Sequence, residues 1–215
     1  MAMEDAGVSR GTFDDVCSPR VVVDNENPTG AGAGFAQAVP DPQPFIQMIT
    51  RQLCEILYRK PDEPRAPGMV TLRVYDFDGV ANAGGGTINL STRHLAKYRG
   101  AALKEEITGV LVHEATHLYQ YNDGPGGLIE GIADFVRIEA GHHSINRRTR
   151  GGNWDDGYTT TGFFLSWLDD QYPDFGYKLN LKLTRDDNQR WSDQVFEDLT
   201  GKDVDTLWQE YQATL

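Results

Sequence analysis

His113-Glu114-Ala115-Thr116-His117 lies inside Lys104 to Tyr121, a stretch whose pattern predicts a helix. It has no proline, carries Glu105 and Glu106 at its start, and spaces Leu103, Ile107, Val110, Leu111 and Leu118 at helical intervals. Residues four apart share a helix face, so both imidazoles can reach one cation, with the Glu114 carboxylate beside them as a general base. That is the pattern of a Zn2+ site. The competing explanation, two histidines that merely pack or sit at the surface, is open to any five-residue match. The segment that follows weighs against it.

After His117 comes Asn122-Asp123-Gly124-Pro125-Gly126-Gly127, a cluster of breakers that must turn the chain. Leu128 to Arg137 then reads as a second helix folded back on the first, with Leu128, Ile132, Phe135, Val136 and Ile138 as its core face. Glu130 and Asp134 fall one turn apart on the neighbouring flank. A buried carboxylate pair is costly unless positive charge is close, and a metal ion supplies it. Two His and one Glu are a catalytic zinc ligand set that leaves one position for water, so Glu130 is the expected third ligand. Asp134 is placed to accept a hydrogen bond from the far ring nitrogen of a bound histidine, His113 in the preferred reading. A solvated helix flank is the plainer alternative for both acids.

Glu130-Gly131-Ile132-Ala133-Asp134 is similar to the Glu-x-x-x-Asp helix of gluzincin metallopeptidases such as thermolysin, in which the Glu is the third zinc ligand and the Asp orients the first His. The spacing departs from theirs: residues 118–129 separate His117 from Glu130, fewer than in thermolysin-like enzymes. Asp123 and Asp134 remain as third-ligand candidates ranked below Glu130. A resemblance covering more of the chain rests on His113 to Tyr121, Pro125 to Asp134, Trp154 to Trp167, Leu199-Thr200-Gly201-Lys202 with Leu207-Trp208, and the Gly-rich Pro28 to Phe35. Together these resemble the plant basic secretory protein family, also called the peptidase family of plants and bacteria. The resemblance implies a zincin-like metallopeptidase fold and a peptidase activity, associated in plants with defence. It also puts Tyr158 in a Gly-Tyr pair after a Trp, where a hydroxyl could donate to the oxyanion of the tetrahedral intermediate; a packing tyrosine is the commoner explanation.

The chain departs from that family's name. Its 20 basic and 32 acidic side chains give a formal charge of -12, an overall field that repels phosphate. Nucleic acid and anionic membrane are therefore excluded as main partners, and a peptide or protein substrate is expected, with the chain acting as a monomer. With 39% hydrophobic and 24% charged residues, composition is that of a globular domain. No apolar run reaches the roughly 20 residues of a membrane helix, and the first 20 residues lack the apolar core of a signal peptide as written. Localisation stays open, with the resemblance favouring secretion. Cys17 and Cys54 are not spaced as a metal pair; they are either one disulfide of an exported protein or two buried thiols. Asn89-Leu90-Ser91 matches a glycosylation acceptor but falls in an expected strand.

Residues 1–20 are expected to be a tail and 21–215 a single domain of α+β class. Val21 to Val23 is a short β-branched run, Phe45 to Tyr58 a helix, and Met69 to Tyr75 an alternating strand. Gly84-Gly85-Gly86 leads into Thr87 to Ser91, the expected edge strand along the cleft, where an extended substrate could add its main chain. An ordinary loop and strand is the alternative there. His94 reads as surface or cleft wall, and adjacent His142 and His143, in a polar stretch with Arg147 and Arg148, as exposed. Tyr158 to Tyr172 starts a helix burying Phe163, Phe164, Trp167 and Leu168, and short helices over Phe175–Leu183, Trp191–Leu199 and Val204–Tyr211 complete a mostly helical C-terminal half.

The expected chemistry is peptide hydrolysis. Zinc on His113, His117 and Glu130 lowers the pKa of its water, and Glu114 moves the proton to the leaving amine. An aminopeptidase, and a non-catalytic stress or defence binding protein that keeps a zinc site, are the alternatives. Against the second, a structural site needs no base between its histidines.

Overall fold

The computed structural model describes residues 12–143, 148–183 and 191–215. In its N-terminal half the chain runs through α1 (Phe13–Val16), β1 (Arg20–Asn25), α2 (Ala33–Ala38), α3 (Pro42–Leu57), β2 (Met69–Tyr75), β3 (Ala81–Gly84) and β4 (Thr87–Ser91). Helices follow: α4 (Thr92–Leu95), α5 (Gly100–Tyr119), α6 (Gly126–Glu139), α7 (Tyr158–Gln171), α8 (Phe175–Lys182), α9 (Gln194–Thr200) and α10 (Val204–Ala213). The architecture is mixed α+β, with one small four-stranded mixed sheet ordered β1-β2-β4-β3.

β2 follows from its alternation: Val70, Leu72 and Val74 are fully buried on one face. It pairs in parallel with β1 on one side and with β4 on the other, and β3 closes the sheet antiparallel to β4. This corrects the expected edge: Thr87 to Ser91 is interior, and Ala81–Gly84 is the edge. The reason lies in Gly85 and Gly86, with φ of 56° and 78°. Two central residues with positive φ make the tight hairpin turn whose twist suits antiparallel strands, so the glycines fold β3 onto β4 rather than hold an edge open.

α3 begins with Pro42 in its first turn, where a missing N–H costs nothing, and buries Ile46, Ile49, Leu53 and Leu57 on one stripe. That stripe meets α5. The long α5 is enclosed on several sides, which is why Ile107, Val110, Leu111, Val112 and Ala115 are all buried rather than confined to one face. Its C-terminal end is pinned by the Tyr58 hydroxyl, which donates to the Tyr119 carbonyl at 2.5 Å, and by Asn180 Oδ1, which accepts from Tyr121 N at 3.0 Å. α6 returns against α5 and packs most extensively on α7. Around Phe164, the rings of Phe196, Trp208 and Tyr211 form an aromatic cluster that seals the C-terminal helices.

Cys17 and Cys54 are joined in a disulfide, both fully buried, which fastens the end of α1 to α3. No helix among the described residues is long and apolar enough to cross a membrane.

Candidate metal centre and its cleft

A cleft of about 980 Å³ opens between β3 with its hairpin turn and the facing sides of α5 and α6. His113 and Glu114 on α5 are each 7% exposed, and His117 is half-buried one turn on. α6 brings Glu130 and Asp134 to the same place, because a 14-residue helix folded back through the Asn122 to Pro125 turn runs alongside the last turns of α5.

The first consequence is a fixed tautomer. His113 Nδ1 lies 2.8 Å from Asp134 Oδ1, and a carboxylate only accepts, so this nitrogen carries the proton. His113 Nε2 is left with a lone pair, which faces Glu130 Oε2 at 3.1 Å and His117 Nε2 at 3.2 Å. His117 Nε2 lies 3.5 Å from the same Glu130 oxygen. Acceptors held this close need a shared proton or a metal ion among them. Burial opposes charge on His113, but the Asp134 and Glu130 hydrogen bonds outweigh it and push its pKa up to about 9. Hydrogen bonds with His113 and His117 pull Glu130 down to about 2 against its own desolvation. The site thus holds positive charge strongly, whether that charge is a proton or a metal ion.

The spacing fits a metal ion as well as a proton. Around a tetrahedral ion with bonds of about 2.0–2.1 Å, ligand atoms lie roughly 3.3 Å apart, close to the separations among these three side chains. His113, His117 and Glu130 are the group among the described residues that could hold such an ion. Asp134 faces the far nitrogen of His113, and Asp123 lines a separate small cavity with Trp191 and Asp198, away from the three donors.

Glu114 sits beside this group, its pKa raised by burial against the opposing pull of His113 and His117. Tyr158 starts α7 at φ 46°, a left-handed conformation uncommon for a tyrosine, and its ring stacks on His113 at 5.9 Å and 9°. The segment before it holds that pose: Thr161 Oγ1 donates to the Trp154 carbonyl at 2.7 Å and accepts from Gly157 N at 2.9 Å. Gly127 lets the segment approach, since a Cβ there would stand 1.7 Å from the Asp155 carbonyl oxygen. The charge of Glu130 raises the Tyr158 pKa, so its hydroxyl stays a donor at neutral pH.

Sequence reading passed over three groups in this cleft. Gln120, at i+3 from His117 on α5, places Nε2 3.0 Å from His117 Nδ1 while donating to the Ile129 carbonyl at 3.1 Å. For His117 Nε2 to offer a lone pair, Nδ1 must carry the proton, and the Gln120 amide would have to turn to accept it, giving up its bond to the Ile129 carbonyl. The others are Glu106 and Arg137, which line the cleft with His94. His94 is 8% exposed, and its Nε2 lies 2.7 Å from Glu106 Oε1. His142 and His143 are half-buried rather than exposed, His142 Nδ1 lying 3.0 Å from Glu105 and His143 packing near Phe163. Arg147 lies outside the described residues.

A sequence model of the family described as peptidase of plants and bacteria matches residues 18–211. The chain belongs to that family. Neither curated proteins nor solved structures yielded a match. Membership in this peptidase family implies a peptide or protein as substrate.

Proposed function

We propose that this member of the peptidase family is a zinc-dependent endopeptidase of zincin-like fold, working as a single domain. The observation that carries the reading is the convergence of His113, His117 and Glu130 at 3.1 to 3.5 Å, with Glu114 beside them in an open cleft. A zinc ion held by these three would polarise the scissile carbonyl and acidify the attacking water.

The chain's own residues do the rest. Asp134 holds the His113 Nδ1 proton and so keeps the Nε2 lone pair turned into the site. The Glu114 carboxylate takes a proton from the attacking water and returns it to the departing amine nitrogen; a raised pKa suits a group that must do both. Tyr158, stacked on His113 and protonated, donates from its hydroxyl to the oxyanion. β3 offers an edge for an extended substrate to pair with by its main chain.

Endopeptidase is favoured over aminopeptidase by the wall acid Glu106. Capture of a free amine needs an unengaged carboxylate, and Glu106 is already bound to His94.

The test is zinc content and cleavage of a mixed peptide library, measured on wild type, Glu114→Gln and His113→Ala. Expected are one zinc in wild type and Glu114→Gln, little in His113→Ala, and chelator-sensitive cleavage that falls about 10²- to 10⁴-fold in Glu114→Gln. Full activity in Glu114→Gln removes the base assignment. Zinc-free wild type that still cleaves removes the metal.

A further inference from the structure

Within the cleft one cation faces a carboxylate without a hydrogen bond to it. Arg137 on α6 is the single lysine or arginine among the residues lining it, and its side chain is 17% exposed. A guanidinium carries five N–H donors. Among the described residues its nearest charged neighbour is Glu106 Oε2 at 4.0 Å, beyond hydrogen-bond length, and Arg137 Nε is buried with no partner at all. Three of the four acids of the cleft are hydrogen-bonded or paired: Glu106 by His94, Asp134 by His113, and Glu130 by His113 and His117.

This placement is built into α5. Gly109 lies where the guanidinium crosses, and a Cβ there would stand 2.7 Å from Arg137 Nε. Gly costs helix stability relative to Ala, so its presence in mid-helix is explained by the room it gives Arg137. His94 and Glu106 complete a polar wall beside it.

We infer that Arg137, with His94 and Glu106 as its wall, forms a carboxylate-binding subsite of the cleft. It engages an acidic side chain of the substrate or, where cleavage falls close to a chain end, the C-terminal carboxylate. A carboxylate is the ligand whose two oxygens match the planar fork and would take up the terminal N–H groups, which make no hydrogen bond within the described residues. The net charge of -12 opposes this choice. The distant part of that charge is screened over about 8 Å at physiological salt while a contact at hydrogen-bond range is not, and the nearby Glu106 carboxylate is held by His94. Glu106 lies two turns before His113 on α5, roughly 10 Å along the axis at about 1.5 Å per residue. Extended peptide advances about 3.3 Å per residue, so the bound carboxylate falls within about three residues of the scissile bond.

The inference rests on the peptidase reading, and two readouts keep the two separable. Peptides paired as Glu against Gln at each of the three positions either side of the cleaved bond, and as free against amidated C-terminus, are compared by kcat/KM on wild type. The same fluorescently labelled pairs are titrated by anisotropy onto Glu114→Gln protein, which reads the subsite without turnover. Wild type is expected to favour the carboxylate member of one pair by about 10- to 100-fold, carried by KM, and the pair that responds names the source. Arg137→Met collapses that ratio towards one. Gly109→Ala, a favourable helix substitution that displaces the guanidinium, lowers it as well. A ratio is decisive because a folding defect lowers both members alike. Equal ratios in wild type and Arg137→Met, or no carboxylate preference in either readout, overturn the subsite and leave the peptidase reading untouched. A carboxylate preference in binding, lost in Arg137→Met, with no cleavage by wild type, supports the subsite and removes the peptidase reading.

Discussion

With His113 Nδ1 tied to a carboxylate that is itself 3% exposed, the ring can neither rotate nor exchange tautomers without leaving Asp134 unpaired in the interior. Asp134→Asn keeps the shape but lets the amide present an N–H, which favours the wrong tautomer; zinc affinity, read by competition with a chromogenic chelator, should fall about 10- to 100-fold. Unchanged affinity would mean that Asp134 does not orient His113. The pairing of Glu130 and Asp134 with the two histidines was legible in the sequence because helical spacing turns i and i+4 into neighbours. Glu106 was not. Reading the helix from Lys104 put Glu105 and Glu106 in a first turn, where acids favour the helix dipole, but α5 begins at Gly100 and carries Glu106 into the wall of the cleft. Arg137 stands at the end of a helical pattern, and nothing in a sequence marks a guanidinium as lacking hydrogen bonds.

At the level of elements, the pose of Tyr158 depends on how closely the Trp154 to Gly157 segment lies against the start of α6. Gly127→Ala would set a Cβ against the Asp155 carbonyl oxygen, a backbone atom that cannot step aside alone, so the segment must shift and carry Tyr158 with it. The expected result is a fall in kcat of about tenfold or more with zinc content retained, the signature of lost oxyanion donation rather than lost metal. If kcat is unchanged, the tyrosine is a packing residue. The helices were legible from their apolar spacing, α3, α5, α6 and α7 most clearly, and β2 from strict alternation. β3 was not, because Ala81-Asn82-Ala83 has none of the β-branched or aromatic residues that announce a strand. Only pairing with β4 through the two-glycine hairpin makes it one, so the edge that borders the cleft is specified by its turn.

Across the whole molecule, a sheet that ends in β3 and a set of C-terminal helices meet along α5, and the candidate centre stands at that meeting. The one covalent cross-link lies elsewhere. Cys17 to Cys54 spans 37 positions and closes β1, α2 and most of α3 into a loop. By the chain-entropy account, a loop of that length contributes about 3 to 4 kcal/mol. Cys17→Ala with Cys54→Ala should therefore lower Tm by roughly 10 °C in a chain of this size, with zinc content unchanged. A drop of only a degree or two would mean that the pairing of β1 with β2 and the burial of α3 already fix this region. Because the bond persists only where thiols are oxidised, the resilience of the fold follows the reduction potential of its surroundings. In a reducing compartment the same chain would keep its site geometry on a looser foundation, become the easier target for other proteases, and have the shorter working life.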